Sequence, residues 1–166
     1  SNSRKYYNLY VDKIKISFQS FKRKFKEPVP VVNSLLDNRE GLYIQLENEK
    51  KEIGIGEISP LPGLSNDKLS DIIPILKELS KTKVEISISN LENFCNRYKN
   101  YPSLRFGICS AFFSMRNKKS NLIKTHIFTK SLENIKIDSS KYIKYKIGFN
   151  NLEKDINLIN SIIKTL

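Results

Sequence analysis

Two lysines near the end of the chain have the spacing of a catalytic pair. Lys144 and Lys146 are two residues apart in the segment 142–147, so on a β-strand both side chains leave the same face. If the opposite, apolar face packs against helices, both ammonium groups point into an enclosed space. Mutual repulsion and partial desolvation then lower a lysine pKa toward the range of a general base. The alternative is an amphipathic strand whose lysines lie in water.

Three segments upstream have a more distinctive composition. Residues 39–43 read Arg-Glu-Gly-Leu-Tyr, residues 56–65 read Gly-Glu-Ile-Ser-Pro-Leu-Pro-Gly-Leu-Ser, and residues 102–107 read Pro-Ser-Leu-Arg-Phe-Gly. Together with Lys144-Tyr145-Lys146, their order and separations resemble the o-succinylbenzoate synthase family of the enolase superfamily. The resemblance runs from about residue 11 onward, and it is faint over residues 80–101 and 116–140.

This resemblance implies roles for particular residues. The second lysine of the family's Lys-x-Lys motif is the acid/base residue, which corresponds to Lys146, and Lys144 supports it by tuning its pKa. Two mobile loops of the family's capping domain cover the substrate, and they correspond to residues 21–34 and 59–65. The substrate-binding residues implied in this way are Lys22, Arg23, Lys24, Pro60, Leu61, Pro62, Gly63, Leu64 and Ser65. A basic loop suits a small anionic substrate.

The implied reaction is a Mg²⁺-dependent dehydration of 2-succinyl-6-hydroxy-2,4-cyclohexadiene-1-carboxylate in menaquinone or phylloquinone biosynthesis, which makes the parent enzyme a carbon–oxygen lyase. The family's magnesium ligands lie on barrel strands that would follow Leu166, so no metal ligand is expected in this chain. We therefore expect the 166-residue chain alone to be inactive. Its open strand edges and uncovered apolar surface would favour self-association or pairing with the missing C-terminal barrel segment.

Periodicity predicts an α+β capping domain over residues 1–120. Alternating apolar residues predict strands at 11–21, 40–48 and 52–58, which form a three-stranded antiparallel meander. Gly54 and Gly56 lie inside the third strand, where they indicate either a close approach to the backbone or a bulge. Ser65 is the predicted cap of a helix that Pro74 would kink unless it begins late. Further helices are predicted at 91–98 and 103–115.

The pattern changes after the polar segment 117–121. Strands predicted at 122–128 and 142–147 and an amphipathic helix at 152–166 indicate the beginning of a C-terminal (β/α) barrel over residues 121–166. On this interpretation the barrel is truncated before the strands that carry the metal ligands. The whole chain then has an enolase-like organisation.

The net charge of +12 requires nucleic acid to be considered as a partner. Nucleic-acid binding is not expected, because few of the 29 basic residues are arginines and the lysines are scattered. The cluster 22–26 has aromatic interleaving that suits a polyanion, but a solvated loop or strand end is the favoured interpretation. No apolar run is long enough to span a membrane and no secretory signal is evident, so we expect a cytoplasmic protein without a membrane partner.

Four further residue types have a plain structural interpretation. Arg105 is expected to form an ion pair rather than to bind an anion, and Glu57 has no second carboxylate at useful spacing. His126 is expected in a core or interface. Cys95 and Cys109 lack metal-ligand spacing and are expected to be reduced and buried.

Three alternative functions remain open. A related racemase or epimerase of the enolase superfamily shares the capping domain and the Lys-x-Lys motif. A non-enzymatic binding module could reuse the cap fold, and a chain that is stable as a monomer would favour this alternative. A basic nucleic-acid binder would show steeply salt-dependent binding to mixed oligonucleotides.

Overall fold

The computed structural model describes residues 11–31, 34–116, 127–129, 143–145 and 151–163. The chain divides into two units, Ser1–Lys119 and Ser120–Leu166. The first unit contains β1 (Asp12–Val31), β2 (Ser34–Glu47), β3 (Ile53–Ile58), α1 (Leu69–Leu79), β4 (Val84–Ile86), α2 (Leu91–Asn96) and α3 (Pro102–Arg116). The second contains β5 (Ile127–Thr129), β6 (Ile143–Tyr145) and α4 (Leu152–Ile163).

The first unit has a four-stranded sheet in the order β3-β2-β1-β4, with antiparallel pairing throughout. The predicted meander of three strands followed by helices is therefore confirmed. The fourth strand was not predicted from the sequence, because three residues are too few to show an alternating pattern. It pairs with the first residues of β1, from Asp12 to Ile14.

Alternation along the strands places one face of this sheet in the core. Ile14 and Ile16 of β1 lie on the same face as Leu42, Ile44 and Leu46 of β2, and all are essentially buried. Helices α1, α2 and α3 supply the other side of the core, with these buried residues: Ile72, Leu76, Leu91, Phe94, Cys95, Leu104, Ile108, Ala111, Phe112 and Met115. Burying one such large aliphatic side chain stabilises the fold by about 1.5–3 kcal/mol.

The first strand is longer than predicted. The prediction ended it near residue 21 and placed a loop over residues 21–34, but β1 continues to Val31 and pairs with the start of β2. The register shifts between Lys24 and Val29, an interval that contains Pro28, whereas Pro30 pairs with Leu35. Among the described strands, β4 pairs with β1 only as far as Ile14, so the rest of β1 has a pairing partner on its β2 side alone. Proline, which has no N–H to donate, is compatible with a strand whose other side is an edge.

Gly54 and Gly56 allow α3 to lie directly on the main chain of β3. A Cβ atom at Gly54 would overlap the carbonyl oxygen of Ala111, and one at Gly56 would overlap the carbonyl oxygen of Gly107. The register between β2 and β3 is continuous through both glycines, so the bulge alternative is wrong and the close approach is confirmed.

Ser65 does not cap α1, so that prediction is wrong. The helix begins at Leu69 with Lys68 at the N-cap position and without a side-chain capping hydrogen bond. The Ser65 hydroxyl is already engaged as an acceptor for the backbone N–H of Leu61. Pro74 lies inside the helix, which continues to Leu79. The other two predicted helices agree with α2 and α3 to within two residues at each end.

In the second unit, β5 and β6 are parallel and pair Phe128 with Lys144. The rest of the two predicted strands lies outside the described residues. Helix α4 begins at the predicted residue. A parallel pair requires a crossover connection, as at the beginning of a β/α unit, and the assignment of this unit to a barrel stays a prediction. No helix in the described part of the chain is long and apolar enough to cross a membrane.

The contact between α3 and β3 predicts the effect of one methyl group. Gly56→Ala should lower the free energy of unfolding by about 1–3 kcal/mol or more, because the added Cβ meets the main chain of α3, which cannot move aside as a side chain can. Urea denaturation measures the change.

The control is Ile55→Thr on the same strand. Ile55 lies on the opposite face and is 54% exposed, so its β-branched replacement should change the free energy by about 0.5 kcal/mol or less. Equal stability of Gly56→Ala and the parent chain would contradict the contact.

Candidate functional site

A candidate functional site in the first unit is a cavity of about 520 Å³ beside the start of β2. One wall is the segment 35–40 of β2, and the other is the loop 59–65 with the residues that lead into α1. The lining residues are Leu35, Leu36, Asp37, Asn38, Arg39, Glu40, Pro60, Pro62, Gly63, Ser65, Asp67, Lys68 and Leu69. The cavity volume suits a small molecule.

The loop 59–65 is held in shape by its own hydrogen bonds. The backbone N–H of Leu61 donates to the Ser65 hydroxyl, and the Ser65 N–H donates back to the Leu61 carbonyl, each at 2.8 Å. The Leu64 N–H reaches the same carbonyl at 3.0 Å. Gly63 has φ of +80°, a conformation that residues with a side chain rarely adopt. The loop is therefore a defined turn that carries an exposed Leu64.

Arg39 fastens this loop to the sheet. Its guanidinium donates from Nη1 to the carbonyl of Pro60 at 3.2 Å and from Nη2 to the carbonyl of Ser59. The Ser59 hydroxyl in turn donates to Glu57 Oε1 at 2.6 Å. A guanidinium is planar and has several N–H donors in fixed directions, so it can bind two successive carbonyls. A lysine ammonium is a compact point charge without this geometry. Arg39 therefore sets the distance between the two walls of the cavity.

Asp67 joins the cavity wall to α3. It is 4% exposed, and its two carboxylate oxygens accept from the backbone N–H of Ser103 at 2.7 Å and from the Ser103 hydroxyl at 2.9 Å. Ser103 is in the first turn of α3, where backbone N–H groups have no partner within the helix. A carboxylate there is further stabilised by the helix dipole. Asp67 thus acts as a capping residue from a distant part of the sequence.

The predicted basic residues Lys22, Arg23 and Lys24 lie on β1, opposite Glu40, Arg39 and Asn38 of β2. Because side chains alternate along a strand, the two lysines share one face and Arg23 points to the other. The Arg23 guanidinium lies 5.4 Å from the ring centroid of Phe21 and 5.8 Å from that of Tyr43.

None of the three lines the cavity. The Lys22 ammonium instead lies 2.6 Å from the Glu40 carboxylate, and Glu40 is a lining residue. Four of the six predicted loop residues do line it, namely Pro60, Pro62, Gly63 and Ser65, whereas Leu61 and Leu64 do not. The predicted loop residues are thus largely brought together, and the basic cluster lies beside them.

The predicted catalytic lysines lie in the second unit. Lys144 is the central residue of β6, and Lys146 lies outside the described residues. Their roles therefore stay predictions. Among the described residues, no group of three or more His, Cys, Asp or Glu side chains comes close enough to hold a metal ion.

The remaining candidates can be placed briefly. Glu57 is exposed and accepts the Ser59 hydroxyl, and Arg105 is partly buried on α3. His126 lies outside the described residues. Cys95 is buried and free as predicted, whereas Cys109 is also free but only partly buried.

Residues 16–115 match the family model described as MenC, N-terminal domain. This match covers well over half of the chain and includes β2, β3, the loop 59–65 and nearly all of α3. The chain belongs to this family.

Known relatives of this MenC N-terminal domain agree with that assignment. The o-succinylbenzoate synthase of Thermosynechococcus vestitus is 32% identical over 59 residues, which are 36% of this chain and 18% of the relative. The crystal structure of o-succinylbenzoate synthase from Thermosynechococcus elongatus, complexed with Mg in its active site, has a TM-score of 0.68 at 20% identity. It matches 92% of this chain, which covers 48% of that structure.

A second solved structure widens the comparison. An enolase-superfamily protein from Listeria innocua has a TM-score of 0.56 at 16% identity, and the match covers 93% of this chain and 42% of that one. These structural likenesses show an enolase-superfamily fold. The chain spans less than half the length of either solved structure.

Asp67 and the structural role of Arg39 were not predicted from the sequence. Arg39 was part of a recognised segment but had no assigned partner, because its acceptors are main-chain carbonyls 20 and 21 residues away. Asp67 follows Asn66 in a polar stretch and resembles any loop carboxylate. The sequence did contain one indication that α3 needs a distant capping residue. The helix begins at Pro102-Ser103, and the residue before it is not a Ser, Thr, Asp or Asn that could cap it.

The fork geometry of Arg39 predicts how the loop 59–65 loses order. Arg39→Lys should raise hydrogen exchange at the Leu64 and Ser65 amides by roughly tenfold, because a charge is kept but at least one of the two carbonyl contacts is lost. Arg23→Lys is the matched control, since Arg23 contacts rings rather than the loop. Unchanged protection of both amides in Arg39→Lys would show that the loop holds itself.

The contact between Asp67 and Ser103 predicts a loss of stability. Asp67→Ala should lower the free energy of unfolding by about 1–2 kcal/mol, because it removes both acceptors from a helix start. Asp67→Asn should lower it less, since one carbonyl acceptor remains. Urea denaturation compares both with Glu78→Ala, an exposed carboxylate in a surface ion pair. A loss no larger than that of Glu78→Ala would contradict the capping role.

Proposed function

We propose that this chain is the capping domain and the beginning of the barrel of an o-succinylbenzoate synthase. The observation that carries the proposal is the match of residues 16–115 to the MenC N-terminal domain. Support comes from the fold, which follows a solved o-succinylbenzoate synthase over 92% of the chain. The proposed reaction of the whole enzyme is the dehydration of 2-succinyl-6-hydroxy-2,4-cyclohexadiene-1-carboxylate in menaquinone or phylloquinone biosynthesis, and the proposed location is the cytoplasm.

The cavity between β2 and the loop 59–65 is the part of the first unit that would face the substrate. Arg39 holds the two walls together, so substrate enclosure would depend on a loop whose turn is already formed. A pre-formed loop loses less conformational entropy when it closes over a ligand than a disordered one does. Lys68 lines the cavity and would supply a cation for an anionic substrate, whereas Lys22 is paired with the lining residue Glu40.

Lys146 would perform the proton transfers. Its neutral amine would take the proton α to the substrate carboxylate, and the resulting ammonium would then protonate the departing hydroxide, which leaves as water. Lys144, two residues earlier, would favour the neutral amine through the repulsion between two ammonium groups. Bound Mg²⁺ would supply positive charge to the substrate carboxylate in the complete enzyme, with ligands beyond Leu166. The described residues form no such ligand set.

The decisive test uses the complete protein that the proposal implies. The parent protein should dehydrate the cyclohexadiene substrate in the presence of Mg²⁺, and Lys146→Ala should lower kcat at least about 100-fold, because general acid–base catalysis contributes that much. Lys77→Ala, a change of an exposed lysine on α1, should leave kcat unchanged. The 166-residue chain alone should show no turnover.

Other outcomes point to the alternatives. Racemisation of N-succinylamino acids or epimerisation of dipeptides without dehydration would favour a racemase or epimerase. That alternative has support in the fold, since a mandelate racemase/muconate lactonizing protein of Herpetosiphon aurantiacus matches with a TM-score of 0.51 at 14% identity, over 63% of this chain and 30% of that one. Full activity in Lys146→Ala would reject the proposed base. A parent protein without any turnover would favour a binding module.

A further inference from the structure

Two free thiols meet between α2 and α3. The sulfur atoms of Cys95 and Cys109 are 3.4 Å apart, although the residues are 14 positions apart in sequence. Cys95 is 2% exposed and lies in the core cluster, whereas Cys109 is partly buried. The proposed function assigns no role to either residue, and the pair lies in a different part of the unit from the lining residues of the cavity.

Packing on both sides fixes the positions of these sulfur atoms. Cys95 lies next to Phe94, which is buried and forms an edge-on contact with the Tyr98 ring at 5.9 Å. Cys109 follows Ile108 on α3, whose position is set by the contact of Gly107 and Ala111 with β3. Neither helix can rotate without disturbing the core, so the two thiols are held in contact.

We propose that Cys95 and Cys109 form an oxidation site, at which a hydroperoxide joins α2 to α3 through an intramolecular disulfide. The sulfur atoms need to approach from 3.4 Å to the length of a disulfide bond, about 2.05 Å. The proposal is independent of the catalytic assignment.

The reaction proceeds in two balanced steps. The hydroperoxide reacts first with Cys109, which is the more accessible thiol, and transfers one oxygen to give a sulfenic acid and water or an alcohol. Cys95 then attacks that sulfur atom, so that the sulfur–sulfur bond forms while the hydroxyl leaves as water with the thiol proton of Cys95. Two thiols are oxidised by two electrons, and one peroxide is reduced.

Burial determines the order of these steps. It raises the pKa of Cys95 to about 12, with a further contribution from the hydrogen bond to Cys109 and a small opposing one from Arg105. A thiol with so high a pKa is a poor first target for an oxidant, because the thiolate is the nucleophile. Contact with Cys109 compensates for this low thiolate fraction in the second step, since the reaction is then intramolecular.

The disulfide would close a loop that contains the end of α2, the connection and the start of α3. Closing a loop of this size stabilises a fold chiefly by restricting the unfolded chain. We expect the oxidised chain to melt roughly 5–10 °C higher than the reduced chain.

The test treats the folded 166-residue chain with hydrogen peroxide and follows thiol titration, intact mass and a peptide map. Both thiols should disappear together, with the loss of two hydrogens in mass and a cross-linked peptide that contains Cys95 and Cys109. In the folded chain the sulfenic acid on Cys109 should convert to the disulfide at least about tenfold faster than in the urea-unfolded chain, because folding places the sulfur atoms in contact.

Single variants separate the two steps. Cys95→Ala should leave a sulfenic acid on Cys109 that dimedone traps, whereas the parent chain should trap little. Cys109→Ala should leave Cys95 largely unreacted in the folded state. The proposal is overturned if both thiols of the parent stay titratable, if Cys109 advances to sulfinic acid while Cys95 stays free, or if the disulfide forms only in urea or between two chains.

Discussion

The first unit depends on the direct contact between the main chains of α3 and β3. Helices usually pack on a sheet through interdigitating side chains, but here Gly54 and Gly56 on the strand and Gly107 on the helix remove the intervening Cβ atoms. Ile58 fills the space over Gly107. Such a contact has little freedom to slide, because a shift along the strand would bring side chains where only glycine fits. It fixes the helix in register with β3.

This register places the start of α3 where Asp67 can reach it. Ser103 is four residues before Gly107, so the position of the helix on β3 determines where its unpartnered N–H groups lie. Asp67 follows the loop 59–65 and lines the same cavity as Arg39. The loop is thus held at both ends, by Arg39 at Ser59 and Pro60 and by Asp67 beyond Ser65. The cavity is consequently a product of the core packing rather than of the loop sequence alone.

The accuracy of the sequence predictions follows the range of the interactions involved. The strands with clear alternation and helices α2 and α3 were predictable, since their patterns reflect burial on one face. The extension of β1 to Val31 was not, because Pro28 and Pro30 are normally breakers and become acceptable only at an edge that the sequence does not specify. Ser65 illustrates the same limit, since a serine before a helix can equally close a turn.

The charge of the candidate site shows why a basic composition is a poor guide to a binding site. Asp37, Glu40 and Asp67 line the cavity beside Arg39 and Lys68, although the whole chain has a net charge of +12. Asp67 and Arg39 are already engaged, since Asp67 caps α3 and Arg39 holds the loop. Glu40 is paired with Lys22. The groups that shape the cavity are therefore mostly occupied in building it. On the proposed function, attraction for an anionic substrate would rest on Lys68 and on residues outside the first unit, so the first unit would act as an enclosure first and as a source of charge second.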